Sequence, residues 1–492
     1  MAPTRLGPLD ATFLHVEDGV SHMHIGSISL FAGPAPSEHE LLRVIEAHLH
    51  RAPRYRQCVR FVPLQAGRPV WVDDPHFRLG YHVRRTALPA PGGDEELRRL
   101  VGRVMSQQLD RHRPLWEMWV AEGMSGGRWA VIVKMHHAMV DGISGSDLST
   151  LVLDERPDAE AGPPQPWSPE PAPGDARLVA DALAERLRLP LDEGRAALRA
   201  LADPLGSAQA ALDVAHGLAA YAGLLRAPAA TLLNGPIGPH RRWRWARARV
   251  AEVKEIRSAL GGTGNDVVLA AIAGGLRELL LAAGEPVPET VRTMVPVSVR
   301  ARGEHGVFDN QVSTMFADLP VGLADPVARL DAVHAQLRHL KGTHEAEAGR
   351  ALVHLEGLLP EIVLLLGGRA VTGRAQRTVN TVTTNVPGPP HTLYFAGRRM
   401  LETFPYVPIA GHLRIGIAIY SYDGAIAFGI TADDEAAPDL GPLCGGIERG
   451  IADLLEAARH KQAGRSRRRR ATGAAREREP GDRPARSGRT RP

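Results

Sequence analysis

The chain has 492 residues, 44% of them apolar, with 59 Lys and Arg against 55 Asp and Glu and only two cysteines. That length exceeds one ordinary core, and the ordinary apolar and charged fractions exclude a wholly disordered or fibrous chain. Cys58 and Cys444 imply no disulfide framework, no apolar run predicts a transmembrane helix, and the N-terminus does not read as a secretory signal, so a cytoplasmic protein is expected. The net charge of +4 is unevenly placed: residues 461–492 hold 12 basic and 3 acidic residues, so the remainder is mildly acidic.

In chain order, His24–Phe31 alternates as a half-buried strand and Glu38–His50 has helical spacing. Leu115–Ala121 and Arg128–Met135 read as two strands joined by a turn over Glu122–Gly127. Residues 155–173 contain seven prolines and read as a linker or surface crossover. From Asp175 to about Leu233, apolar residues at three- and four-residue spacing, interrupted at Pro190 and Pro204, predict two or three amphipathic helices. Strands and helices then alternate from Arg244, and a last amphipathic helix is expected over Leu440–Arg459. The arginine-rich tail from Lys461 cannot bury apolar surface and is expected to be disordered.

Chemistry concentrates where the second hairpin strand ends: Val131-Ile132-Val133-Lys134-Met135-His136-His137-Ala138-Met139-Val140-Asp141-Gly142. Adjacent residues at a strand end point to opposite faces, so one histidine is expected to meet a reactant and the other to be held by the fold. A neutral imidazole there can accept a proton near neutral pH. The structural alternative is a buried histidine pair followed by an Asp-Gly turn. Gly123-Met124-Ser125-Gly126-Gly127 matches a nucleophile elbow in letters only, because it lies between two strands and its glycines suit a hairpin. Asn265 and Asp266, just ahead of an apolar helical run, read first as N-cap residues, with a helix end that could face a phosphate or an oxyanion. Pro114, Leu115 and Trp116 open a strand, and core packing is their first reading. Without H-E-x-x-H, C-x-x-C or a dinucleotide fingerprint, neither a metal nor a redox cofactor is indicated.

The His136–Gly142 motif, H-H-x-x-x-D-G, resembles that of CoA-dependent acyltransferases of the chloramphenicol acetyltransferase type and of nonribosomal peptide condensation domains. Residues 6–458 as a whole resemble the bacterial wax ester synthase/diacylglycerol acyltransferase family. The ordered segments that carry this are L-D-A-T-F-L (Leu9–Leu14), R-P-L-W-E (Arg113–Glu117), the motif itself, L-N-G-P-I-G (Leu233–Gly238), G-N-D-V-V-L-A (Gly264–Ala270), V-P-V-S-V-R (Val295–Arg300), N-V-P-G-P (Asn385–Pro389) and S-Y-D-G (Ser421–Gly424). The resemblance implies a mixed α/β fold of two chloramphenicol acetyltransferase-like domains, 1–154 and 236–460, joined by a 155–235 crossover, with the active site at their interface. It implies acyl-CoA as co-substrate without a resident cofactor, and O-acylation of diacylglycerol or a long-chain alcohol. The alternatives are another hydroxyl or amine acceptor, a carrier-linked donor, or a silent lipid-binding protein on the same fold.

By that resemblance His137 is the general base, His136 supports it, and Asp141 and Gly142 shape the loop. Pro114, Leu115 and Trp116 become candidates to line an acyl channel, Asn265 and Asp266 to support the site, and Ser298 and Arg300 to meet CoA phosphates. Asn385 is expected near the domain interface. The basic tail lies outside the family pattern; peripheral contact with a membrane or lipid droplet is its expected role, and no nucleic-acid partner is expected.

Overall fold

A computed structural model describes residues 4–139, 151–160, 162–185, 231–298, 312–342 and 378–476. The first part runs β1 (Thr4–Arg5), α1 (Pro8–Val16), β2 (His24–Ala32), α2 (Glu38–His48), β3 (Gln57–Arg60), β4 (Val70–Asp73), α3 (Leu79–His82), β5 (Val83–Ala87), α4 (Asp94–Met105), β6 (Trp116–Met124) and β7 (Arg128–His136). The second runs β8 (Arg241–Arg249), α5 (Val250–Leu260), α6 (Gly264–Ala282), β9 (Val291–Ser298), β10 (Val312–Leu319), α7 (Pro326–Gly342), β11 (Thr381–Val386), β12 (Tyr394–Phe395), β13 (Arg398–Tyr406), β14 (Ile415–Tyr422), β15 (Ala425–Asp433) and α8 (Gly441–Arg476).

Two six-stranded sheets form the frame, in the orders β12-β13-β2-β7-β6-β5 and β10-β9-β11-β14-β15-β8, with a small β1-β4-β3 sheet beside them. Their pattern follows from burial. β7 is paired along both edges, by β2 and β6, and its two faces are buried in different cores, Val131 and Val133 in one and Ala130 and Ile132 in the other, so it reads as an unbroken apolar run. The hairpin after β6 turns at Ser125, with Gly126 and Gly127 at positive φ, so the G-x-S-x-G match is a turn. On the second sheet, α6 and α8 pack closely: a Cβ on Gly275 would lie 2.7 Å from the Leu443 carbonyl oxygen, and only glycine permits that approach.

Two boundaries differ from the sequence reading. Residues 394–406 were expected in the second domain, yet β12 and β13 belong to the first sheet, where β13 pairs antiparallel with β2. The second part therefore lends strands to the first; strand propensity carries no information about which sheet a strand joins. The C-terminal helix does not stop near Arg459 but continues through Arg476, into the segment expected to be disordered. Once nucleated on a packed base, a run rich in Ala and Arg needs no core of its own to stay helical. The proline-rich segment, expected as a linker or surface crossover, runs against the first part of the chain. Trp167 meets Phe77 edge-on at 6.1 Å, the Glu170 N–H donates to Asp73, and Leu178 and Ala182 of the helical residues 175–185 bury against Val62, Val70 and Val72. The further helices expected up to Leu233 lie largely outside the described residues.

The two parts meet closely. A Cβ on Gly102 of α4 would stand 2.6 Å from the Arg241 carbonyl oxygen at the start of β8, and the Arg241 N–H donates to Ser106 Oγ at 2.8 Å. On the other side, a Cβ on Gly429 of β15 would fall 1.7 Å from the Pro405 carbonyl oxygen of β13.

Candidate active site

His136 ends β7 and His137 opens a short 3-10 turn, so the pleat that would send them to opposite faces stops between them. Both rings come to rest against α1. His137 stacks on Phe13, with ring centroids 4.0 Å apart, and His136 reaches Glu17, four residues further on at the end of that helix. The helix forms here because Pro8 suits a first turn, and Ala11 and Leu14 anchor its inner face. Thus L-D-A-T-F-L supplies the ring beneath the second motif histidine.

The two histidines have different assignments. His136 is fully buried; the Ala138 N–H donates to its Nδ1 at 3.1 Å, which leaves the proton on Nε2, 3.6 Å from Glu17 Oε2. Its Nδ1 is thus committed to the fold, while Nε2 faces the Glu17 carboxylate just beyond hydrogen-bond distance. His137 is only half-buried, and its Nδ1 finds no acceptor or donor among the described residues. Burial lowers its pKa to about 4, so it is neutral at physiological pH.

Glu17 is the hub of this arrangement, and nothing in its sequence surroundings singled it out. Arg111 donates two N–H groups to Oε2, at 2.6 and 3.0 Å, and the Met23 N–H approaches Oε1 at 3.3 Å. Burial alone would raise the carboxyl pKa, but His136 and Arg111 outweigh it and bring it down to about 2. His24, opposite His136 in the β2–β7 register, lies 3.4 Å from Glu17 Oε1, yet its Nε2 accepts the Leu109 N–H and so has no proton to give. Burial and the nearby Lys134 charge hold His24 neutral. Lys134, also fully buried, donates to the Val104 and Gln107 carbonyls, and burial lowers its pKa to about 8.

The remaining expected residues divide between scaffold and cleft. Trp116 is entirely buried, stacked on His82 at 4.7 Å with its Nε1–H on the Tyr55 carbonyl; Leu115 is buried and its carbonyl accepts the His136 N–H. Pro114 is buried beside them. These three hold the end of the motif strand from below. Thr263, rather than Asn265 or Asp266, caps α6: its Oγ1 accepts the Asp266 N–H while Asp266 Oδ2 accepts the Thr263 N–H, and His334 Nδ1 stands 2.7 Å from the same oxygen. The side chain of Asp266 thus serves the helix end. Asn265 and Asn385 meet directly on an exposed edge, Asn385 Nδ2 donating to Asn265 Oδ1 at 3.1 Å, which ties the start of α6 to the end of β11. Ser298 closes β9, opposite Val312. Asp141, Gly142 and Arg300 lie outside the described residues. N-V-P-G-P and S-Y-D-G, far apart in sequence, touch: the Gly388 N–H donates to Ser421 Oγ and the Asp423 N–H to the Pro389 carbonyl.

Comparison with known proteins agrees with this frame. A family model described as the wax ester synthase/diacylglycerol acyltransferase catalytic domain matches residues 6–268, and one for the WS/DGAT C-terminal domain matches residues 308–454. The chain belongs to this family. It is accordingly an acyltransferase of the two-domain α/β type. A probable diacyglycerol O-acyltransferase of Mycobacterium tuberculosis H37Rv is 35% identical over 475 residues, covering 94% of this chain and 98% of that one. A putative diacyglycerol O-acyltransferase from the same strain is 33% identical, covering 92% and 91%. The wax ester synthase/diacylglycerol acyltransferase of Marinobacter aquaeolei VT8 superposes with a TM-score of 0.64 at 26% identity, covering 92% of this chain and all of that one. A condensation domain of the calcium-dependent antibiotic synthetase shares the fold, with a TM-score of 0.56 at 17% identity and coverage of 93% and 96%. Among the described residues, no three His, Cys, Asp or Glu side chains form a metal-holding group, and no helix is long and apolar enough to cross a membrane.

Proposed function

We propose that this acyltransferase moves the acyl group of an acyl-CoA onto the hydroxyl of a lipid alcohol, either diacylglycerol or a long-chain fatty alcohol, with His137 as general base. The observation that carries this is the division between the histidines: His136 is fully buried, its Nδ1 accepting the Ala138 N–H and its Nε2 3.6 Å from Glu17, whereas His137 is neutral and half-buried and its Nδ1 has no partner among the described residues. The acceptor O–H gives its proton to the His137 imidazole as its oxygen forms a bond to the thioester carbon. The C–S bond then breaks, and the imidazolium returns the proton to the CoA sulfur. A pKa near 4 limits His137 as a base but makes the imidazolium a ready acid toward that thiolate. Asp141 and Gly142 are assigned to the loop that carries the motif.

The acceptor is read from relatives with diacyglycerol O-acyltransferase and wax ester synthase in their names. Incubating the purified protein with labelled palmitoyl-CoA and either diacylglycerol or hexadecanol, then resolving the products, tests both halves of the proposal. His137→Ala is expected to lower the rate about 10²- to 10⁴-fold with the fold intact. Full activity in that variant would remove the base assignment, and ester formation with neither acceptor would remove the substrate assignment. The basic residues beyond Lys461 fit peripheral attachment to an anionic lipid surface, each adding about 1 kcal/mol. Deleting 461–492 should release the protein from phosphatidylglycerol vesicles.

A further inference from the structure

The β2–β7 ladder ends at His24 opposite His136, so His137 is the first motif residue that the sheet no longer holds. Its N–H donates instead to the Met23 carbonyl at 2.8 Å. Met23 is fixed from its other side, because its own N–H approaches Glu17 Oε1 at 3.3 Å. Residues 18–23, which join α1 to β2, are therefore the backbone seat of His137, as Phe13 is the seat of its ring. This short segment is stiff. Asp18 Oδ1 accepts the Val20 and Ser21 N–H groups at 2.9 and 2.6 Å, the Asp18 N–H closes onto the Ser21 carbonyl at 3.3 Å, and Gln108 Nε2 donates to the Asp18 carbonyl. A displacement of Val20 or Ser21 is thus passed on to Met23 instead of being absorbed by the turn.

Both of those residues are gripped from the other part of the chain. Arg241, at the start of β8, stands opposite Asp433 in the β8–β15 register. Its Nη1 serves the second part, donating to the Gly238 and His240 carbonyls at 2.6 and 3.0 Å and lying 3.8 Å from Asp433 Oδ2. Its Nη2 reaches across the seam and donates to the Val20 carbonyl. Ser21 Oγ accepts the Gly411 N–H at 3.2 Å. Gly411 lies where the chain crosses from β13 to β14, and its neighbours are tied to L-N-G-P-I-G: the Gly235 N–H donates to the His412 carbonyl and the Arg414 N–H to the Leu233 carbonyl, each at 2.9 Å. Ser21 and Arg241 are both buried, so these contacts are made where water competes little.

We infer that Ser21 and Arg241 are positioning residues for acyl transfer: through them the second part of the chain holds residues 18–23, and that segment holds His137 where it meets the acceptor hydroxyl. The inference rests on the general-base reading of His137 and deepens it. Ser21→Ala removes the acceptor of the Gly411 N–H, and Arg241→Lys replaces a fork that serves both sides of the seam by a single ammonium group. A misplacement of about 1 Å can cost about 10²-fold in rate, so partial release of the seat is expected to lower kcat about tenfold in the double variant, with KM for palmitoyl-CoA within about twofold of wild type. Rates are taken per folded enzyme, checked by circular dichroism and urea unfolding. In a His137→Ala background the same substitutions should cause no further fall, since no imidazole is left to misplace. Hydrogen exchange, read by mass spectrometry, should be about tenfold faster in the peptide that carries the His137 N–H. A wild-type kcat in the folded double variant would overturn the inference. So would an equal fall in the His137→Ala background, which marks a loss of general structure. If Arg241→Lys does not fold, Ser21→Ala alone carries the same comparison. If His137→Ala keeps full activity, the base reading has failed, and exchange of the His137 N–H by itself decides whether the seam holds the motif.

Discussion

Glu17→Gln removes one charge from beneath the motif while keeping the side-chain shape. The Glu17 side chain is 3% exposed, and Arg111, which donates two N–H groups to it, is 35% exposed. Burial raises the Glu17 pKa, but His136 and Arg111 bring it from 4.5 down to about 2, and a depression of that size is worth roughly 3 kcal/mol. Breaking a buried pair typically costs about 3–5 kcal/mol, reduced here because water reaches Arg111. The two routes agree on roughly 2–3 kcal/mol at pH 7. A depressed carboxylate contributes fully above its unfolded pKa of 4.5 and loses that contribution as pH falls toward 2. Urea unfolding should therefore separate wild type from variant at pH 7 and bring them together as the medium is acidified below about pH 4. Initial rates should fall as well, because His136 loses the carboxylate that orients it and His137 is its neighbour. Equal urea stability and equal kcat at pH 7 would refute the reasoning.

The pH profile gives a second test: with His137 near pKa 4, the acidic limb of kcat/KM should fall around pH 4 instead of pH 6.5, since the neutral imidazole is the active form. Thr263→Ala removes the side-chain cap of α6 and should cost about 1 kcal/mol in urea unfolding. Gly429→Ala places a methyl group 1.7 Å from the Pro405 carbonyl oxygen and should destabilise by about 3 kcal/mol, seen as a lowered Tm or as insoluble protein. Phe13→Ala removes the ring under His137; a loss of about 1 kcal/mol from the stack is expected, together with a lower kcat.

Local pattern carried part of this architecture. The alternation in His24–Phe31 and the apolar run into His136 specify β2 and β7 because each is satisfied by its immediate neighbours in the sheet. The partner of Glu17 was not legible, since Arg111 lies 94 residues away and neither residue has a distinctive sequence context. The capping of α6 was legible in principle: Thr263, with Asp266 three residues later, is a capping-box pattern, and the adjacent Asn265 drew attention from it. Several family segments proved to be joints, as with Gly388 against Ser421, because close backbone approach restricts sequence as strongly as chemistry does.

The strand borrowed across the molecule also sets an order of events during synthesis. β2 lies at the start of the chain, yet its edge is covered by β13, and the buried Ser29 hydroxyl waits for Thr403, 374 residues downstream. At about 5–20 residues per second, the ribosome leaves that edge unpaired for roughly 19–75 s. An exposed strand edge of that duration invites pairing with other nascent chains, so slowed elongation between residues 32 and 398 should lower soluble yield more than slowing after residue 406.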